Sequence, residues 1–343
     1  MSEAEALFEK RGALGLITLN RPKALNALTH GMCVSMKATL DRWALDTDVR
    51  VVAIRGEGER AFCAGGDIRA LYESGQAGTP YAVDFYRDEY RLNATIKHFP
   101  KPYVAFLRGI VMGGGVGVSV HGSHRVADET AVFAMPETGI GLFPDVGGSY
   151  FLPRCPGEIG MYAALTGARL KTADMLYAGI ATQFIPATKT QEAVDRLADG
   201  ETPDDALGDV SAYGEAPLSS IRQTIDQTFT GGSVEDVLLR LDGKADSWSL
   251  DTASVIRAKS PTATKLAFRQ IREGAALSFD ACMHMEFRMV HRVIAGRDFY
   301  EGVRATIIDK DQKPRWNPAS LAEVRDEDID AYFAPLGDKE IVL

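Results

Sequence analysis

An α/β fold, with helices packed on the faces of a sheet, is predicted by two features of the chain. The order strand, turn, helix recurs several times in its first half, and from Ser260 onward apolar residues fall at helical spacing. LGLITLN (14–20) reads as a strand, and RPKALNALT then turns into a helix with Thr29 as N-cap and Met32, Met36, Leu40 and Trp43 on its buried face. VRVVAIRG is a second strand ending at Gly56, after which FCAGGDIRALY forms a Gly-rich turn opening a helix. A helix near 82–97 precedes the strand YVAFLRG (103–109), the run GGGVGVSVHG (113–122), and short strands around Val126 and AVFAM (131–135). Ser260 and Pro261 mark an N-cap and first helical position, and the next helix carries Phe279, Met283, Phe287, Val290 and Ile294 on one core-facing stripe.

At 343 residues the chain is long enough for two modest domains or one large one with an appendage. Residues 1–187 form the α/β core, 188–258 a connecting and partly helical segment rich in Asp, Gly, Thr and Ala, and 259–343 a C-terminal helical region.

Hydrophobic residues make up 45% and charged residues 25%, as in a folded globular protein. No apolar run approaches the ~20 residues that cross a bilayer, and MSEAEALFEKRG is too acidic for a presequence, so a cytoplasmic location with no membrane partner is expected. A net charge of −9 argues against nucleic acid, although a few local cations and helix N-termini suffice for a phosphorylated ligand. Cys33, Cys63, Cys155 and Cys282 lie far apart without a CxxC pair, so no metal site is expected.

Two glycine clusters, CAGGD (63–67) and GGG (113–115), each come after a strand and open a helix. Such turns can aim unpaired backbone N–H groups at one point, as an oxyanion hole requires, or serve only tight turns and close packing. Neither matches GxGxxG or GxxxxGK[ST], which disfavours nicotinamide and nucleotidase chemistry. Glu137 and Asp145 lie in PETGIGLFPDVGGSYFLP (136–153), an apolar, Gly-rich setting where a carboxylate is costly unless paired or used. Two carboxylates meeting at one carbonyl supply a nucleophile or base and a separate acid; alternatively Asp145 is an N-cap and Glu137 a solvated turn residue. GVSVH (117–121) lacks the final glycine of a nucleophile elbow, and His121 reads as structural.

LNRPKALNAL, AFCAGGDI, GIVMGGGVG and FAMPE, in this order and spacing, resemble the crotonase (enoyl-CoA hydratase/isomerase) superfamily over residues 12–187. The resemblance implies a crotonase-like spiral of β-β-α turns with a C-terminal helical region. It also implies an oxyanion hole for an acyl-CoA thioester made by the N–H groups of Gly66 and Gly114, and a coenzyme A site along Arg21, Ala24, Leu25 and Ala64. DEYRLN, FAMPETGIGLFPDVGGSYFLPR and DFYEGVRATIIDKDQKPRW bring it closer to the 3-hydroxyisobutyryl-CoA hydrolases, a family of valine degradation. That likeness makes Glu137 and Asp145 the catalytic pair and Glu89 a substrate contact, with Gly114, Glu137 and Asp145 also touching substrate. Read from spacing alone, Glu89 and Asn93 could be an ordinary exposed pair.

Hydratases of this superfamily carry a catalytic Glu three residues beyond the oxyanion glycine of GGG; here that position is Gly117, and Asp145 stands where they usually have Gly. The expected activity is therefore hydrolysis of a short 3-hydroxyacyl-CoA, without metal or cofactor beyond the coenzyme A of the substrate. An enoyl-CoA hydratase or isomerase and a non-catalytic acyl-CoA-binding protein are the rival readings. The C-terminal helices could cover their own active site or form a subunit interface, which leaves a homo-oligomer open.

Overall fold

A computed structural model describes residues 4–208 and 213–343. Its strands are β1 (Ala6–Arg11), β2 (Leu14–Leu19), β3 (Val51–Gly56), β4 (Ala61–Cys63), β5 (Tyr103–Leu107), β6 (Ile110–Met112), β7 (His124–Ala127), β8 (Val132–Ala134), β9 (Leu170–Lys171) and β10 (Gln183–Phe184). They build two sheets, one in the order β1-β2-β3-β5-β7-β10 and the other β4-β6-β8-β9. Successive pairs β3/β4, β5/β6 and β7/β8 each give their first strand to the large sheet and their second to the small one, so the chain winds as the expected spiral. Tight corners make this winding feasible: Gly109 has φ +59°, and a Cβ there would lie 2.3 Å from the carbonyl oxygen of Arg60.

The helices of the first half are α1 (His30–Leu45), α2 (Ile68–Ala77), α3 (Tyr81–Lys97), the single turns α4 (Gly114–Gly117) and α5 (Gly148–Phe151), α6 (Ile159–Thr166) and α7 (Thr172–Tyr177). Thr29 caps α1 by accepting from the N–H of Met32, and Met32, Met36, Leu40 and Trp43 are buried as their spacing predicts. The strands β1, β4, β6, β9 and β10 are not read from the sequence, for physical reasons; β4, β9 and β10 are only two or three residues long. The edge strand β1 buries little of its length, so it has no clean period of two. β6 has only three residues, too few to show a period.

The stretch read as connecting is helical over most of its described length, with α8 (Thr190–Ala198), α9 (Pro203–Leu207), α10 (Pro217–Phe229), α11 (Val234–Lys244) and α12 (Ser247–Arg257). Its Asp, Ser and Thr residues serve partly as caps: Thr202, Ser233 and Asp246 each accept a backbone N–H from the first turn of the next helix. The chain closes with α13 (Pro261–Gly274), α14 (Phe279–Val293), α15 (Asp298–Val303) and α16 (Asp326–Phe333). Ser260 caps α13, and the stripe Phe279, Met283, Phe287, Val290, Ile294 is buried. This stripe sets α14 against α3, a helix that contributes Phe85, Tyr86 and Glu89 to a cleft described below.

Candidate active site

Three parallel neighbours of the small sheet, β4, β6 and β8, end side by side, with Ala61 paired to Ile110 and Met112 to Ala134. Segments leaving their C-terminal ends are therefore brought to one place, as is usual for ligand sites in α/β proteins. Those segments carry Gly65-Gly66 after β4, Gly113-Gly114 after β6, and Glu137 after β8. These residues line a cleft of about 370 Å³ together with Glu89 and Asp145, so the residues to which the sequence assigned chemistry share one cavity.

The two glycine turns touch. The amide nitrogen of Gly66 lies 3.4 Å from the point that a Cβ on Gly114 would occupy. Leu28 donates to the carbonyl of Gly65 at 2.8 Å and accepts from the N–H of Asp67 at 2.9 Å, a parallel bridge that turns the N–H of Gly66 away from Leu28. Gly114 opens the single-turn helix α4 behind Gly113, whose φ of +47° suits glycine. Among the described residues no backbone acceptor takes either N–H. Gly66 and Gly114 both line the cleft.

The carboxyls around them are buried, with Glu89 2%, Glu137 5% and Asp145 3% exposed. Burial pushes all three upward in pKa, and their mutual repulsion adds to the rise of Glu89 and Glu137. Asp145 reaches about 7, held from rising further by the phenol of Tyr90, which donates to Oδ2 at 3.0 Å. Glu89 and Glu137 stand well above the usual carboxylate range; Lys259 pulls Glu137 back down. Oxygens of Glu89 and Glu137 and the hydroxyl of Tyr86 find no hydrogen-bond partner among the described residues. Each such orphan costs about 1–3 kcal/mol, a cost expected where a ligand completes the network.

Two open alternatives are decided by these contacts. Asp145 is not the N-cap of α5, whose capping position is Gly147 without a side-chain bond. Glu89 and Asn93 are not an exposed pair, since both are buried; the i, i+4 spacing puts them on one face of α3, and that face lies against Gly114 and Gly117 of the GGG turn.

Residues from the C-terminal half hold the loop bearing Asp145, and spacing gave no signal for them. Gln270 on α13 donates to the carbonyl of Pro144 at 2.5 Å. Glu286 on α14 accepts from the N–H groups of Gly147 (2.8 Å) and Ser149 (2.9 Å), and also from the hydroxyl of Ser149. His121 contacts the carbonyl of Val146 at 2.7 Å and is driven down to about 3 by burial, so it is a neutral structural imidazole as expected. These grips surround Val146, whose φ of +52° is unfavourable for a β-branched residue. The strain persists because these neighbours determine the path of the loop, and that path sets Asp145 in the cleft. Lys259, Thr306, Ile307 and Gln312 add the remaining wall from the same half.

Position 117 is closed. A Cβ on Gly117 would lie 2.7 Å from Cβ of Val146 and 2.8 Å from Nδ2 of Asn93, so the space beyond this glycine is already filled. Of the coenzyme A residues expected from the resemblance, Ala64 lines the cleft and its N–H donates to the carbonyl of Leu25 at 3.0 Å. Ala24 is exposed beside them. Arg21 is already engaged, by Asp67 at 3.0 Å, the carbonyl of Ala27 at 2.6 Å and Glu5 at 3.1 Å, and so braces this loop from within. Among the described residues no group of three or more His, Cys, Asp or Glu is placed to hold a metal ion, and no helix is long and apolar enough to cross a membrane.

The family model described as enoyl-CoA hydratase/isomerase matches residues 14–333. A curated relative from Danio rerio, "3-hydroxyisobutyryl-CoA hydrolase, mitochondrial", is 48% identical over 99% of this chain and 92% of its own length. The Homo sapiens protein of the same name is 43% identical over 98% of this chain and 90% of its own. Among solved structures, a carnitinyl-CoA dehydratase from Mycobacterium thermoresistibile superposes with TM-score 0.94 at 42% identity, covering 99% of both chains. An enoyl-CoA hydratase from Rhodobacter sphaeroides 2.4.1 gives TM-score 0.94 at 39% identity over 99% of this chain and 100% of that one. The names of the curated relatives overturn the expected cytoplasmic location, because those proteins are mitochondrial. The expectation took the acidity of the opening residues as evidence of compartment, whereas charge there bears only on whether those residues resemble a presequence.

Proposed function

The chain belongs to the enoyl-CoA hydratase/isomerase family, and from that premise we propose that it hydrolyses 3-hydroxyisobutyryl-CoA to 3-hydroxyisobutyrate and coenzyme A. The observation that carries this choice over hydration is the exchange of carboxylates between positions 117 and 145. A hydratase needs an acid and a base across the double bond; here position 117 is glycine with its outlet filled by Val146 and Asn93, and the carboxyls that share the cleft with Glu137 are Asp145 and Glu89. The names of the curated hydrolases agree with this reading, while the two solved structures are named for dehydratase and hydratase chemistry.

In the proposed mechanism the thioester oxygen sits between the N–H groups of Gly66 and Gly114, which stabilise the negative charge that develops on it. Glu137 attacks the carbonyl carbon, or takes a proton from a water that does, and the coenzyme A thiolate leaves. Asp145 positions water and transfers protons. Burial, with Asp145 beside it, holds Glu137 well above the usual carboxylate range, and burial brings Asp145 to about 7, so the pair readily holds a proton near neutrality.

The assay that tests the reading measures thiol release from 3-hydroxyisobutyryl-CoA beside hydration of crotonyl-CoA. Thiol release should be fast and hydration poor or absent; fast crotonyl-CoA hydration without thiol release would return the chain to the hydratases. A pH profile tests the role of Asp145. With its carboxylate in use and its pKa at about 7, kcat/KM should fall as pH drops through that value. Tyr90→Phe removes a donor that favours the ionised form, so the pKa rises and the acid limb should move to higher pH. An acid limb in the same place in both proteins would take Tyr90 and Asp145 out of the rate equation.

A further inference from the structure

We propose that Tyr86 is a specificity-determining residue, its hydroxyl pairing with the 3-hydroxyl group of the acyl chain beside the substrate contact Glu89; this rests on the thioesterase reading. Tyr86 and Glu89 lie one turn apart on α3, both are 2% exposed, and both line the cleft. The hydroxyl of Tyr86 and Oε1 of Glu89 are without a partner among the described residues, although the next tyrosine along the same face, Tyr90, bonds Asp145. The Tyr86 ring is packed edge-on between Phe85 and Tyr90, at centroid distances of 5.5 and 6.0 Å, so its hydroxyl is held in place rather than free to seek another partner.

Position relative to the reacting carbon selects the ligand group. Oε1 of Glu89 lies within reach of Gly114, in the space its Cβ would take, and so beside the donors that hold the thioester oxygen. An oxygen on the third carbon is three bonds from the carbonyl carbon and falls in this neighbourhood. A hydroxyl both donates and accepts, and here it would accept from the Tyr86 phenol and donate to Glu89. A 3-oxo group can only accept, and an unsubstituted carbon does neither, so each would leave a buried group unpaired. An anionic substituent is opposed by the neighbouring Asp145 and Glu137, while Leu71, Phe85 and Leu142 in the same cleft suit the small apolar remainder of the chain.

The test is a ratio. The kcat/KM for 3-hydroxyisobutyryl-CoA and for isobutyryl-CoA is measured in wild type and in Tyr86→Phe, and the Kd of both thioesters is measured in Glu137→Gln with and without Tyr86→Phe. Wild type should prefer the hydroxylated substrate, and Tyr86→Phe should compress that preference by at least ~10-fold, in kcat/KM and in Kd alike. A structural loss would lower both substrates together and leave the ratio intact. An unchanged ratio, or a wild type without preference for the hydroxyl, overturns the subsite even if thiol is released. Absence of thiol release with a Kd preference that Tyr86→Phe removes would sink the hydrolase reading and keep the subsite.

Discussion

Glu137→Gln and Asp145→Asn are each expected to lower kcat by at least ~100-fold while the folded protein is retained or gains stability at alkaline pH. The two halves of this outcome have one cause. Both carboxyls are buried among like charges, and Asp145 in the fold has a pKa of about 7 against an ordinary 3.8. A carboxyl whose folded-state pKa lies above its unfolded value costs stability as pH rises between the two, because the unfolded chain ionises first. The cost is complete above about 7. An amide of the same shape cannot ionise, so it relieves that cost above neutrality and changes little below pH about 4. The amide introduced by Asp145→Asn would still accept from Tyr90, and Glu137→Gln would keep the volume that fills the cleft. Thermal midpoints at pH 5 and pH 8 beside initial rates of thiol release check both halves. A variant that unfolds in step with its loss of rate would make the residue structural, and one that keeps its rate would leave the pair without a chemical role.

Gly114→Val should reduce turnover below ~1% of wild type, the loss expected when an oxyanion donor is displaced. A Cβ at this glycine would meet Oε1 of Glu89, lie 3.0 Å from Cδ1 of Leu28 and 3.4 Å from the amide nitrogen of Gly66. The first branch of a valine side chain therefore enters the space between the two donors and strikes a substrate-facing carboxyl. Binding should weaken together with rate, since the obstruction is in the thioester position. Gly113 and Gly115 are imperfect controls, because Gly113 has φ +47° and a Cβ on Gly115 would lie 2.4 Å from the carbonyl oxygen of Cys63. Gly78 is the better one: with φ +64° and open space around it, its substitution by Asn should leave thiol release intact. Full activity of Gly114→Val with unchanged KM would remove the GGG turn from the site.

Position 117 shows how tertiary structure limits what a motif comparison suggests. Restoring a glutamate there, even with Asp145→Gly, places its Cβ against Val146 and Asn93, so it has no route to a substrate without displacing the loop that Gln270, Glu286 and His121 hold. The difference between the two chemistries lies in how the loop 144–147 is packed as much as in two residue types.

Local patterns along the chain were enough for the α/β class, the order of several main strands and helices and the caps at Thr29 and Ser260, while the residues meeting in the cleft were singled out by the family resemblance. The signals are an apolar period, glycine where φ is positive, a carboxyl in an apolar run, and four motifs in sequence order. Three-dimensional packing was needed to show that Glu89 and Asn93 are buried, and that Asp145 answers to Tyr90 rather than to a helix end. It also showed that Glu286 and Gln270, more than a hundred residues away in sequence, hold the loop of Asp145. Packing left the Tyr86 hydroxyl without a partner among the described residues, and it closed the space beyond Gly117. Each of these depends on how α3, the GGG turn, the loop 144–147 and the helices α13 and α14 pack together, a relation between distant segments that no local pattern carries. Local chemistry thus named candidate groups, and packing between distant segments set their burial, their proton affinities and the space left between them.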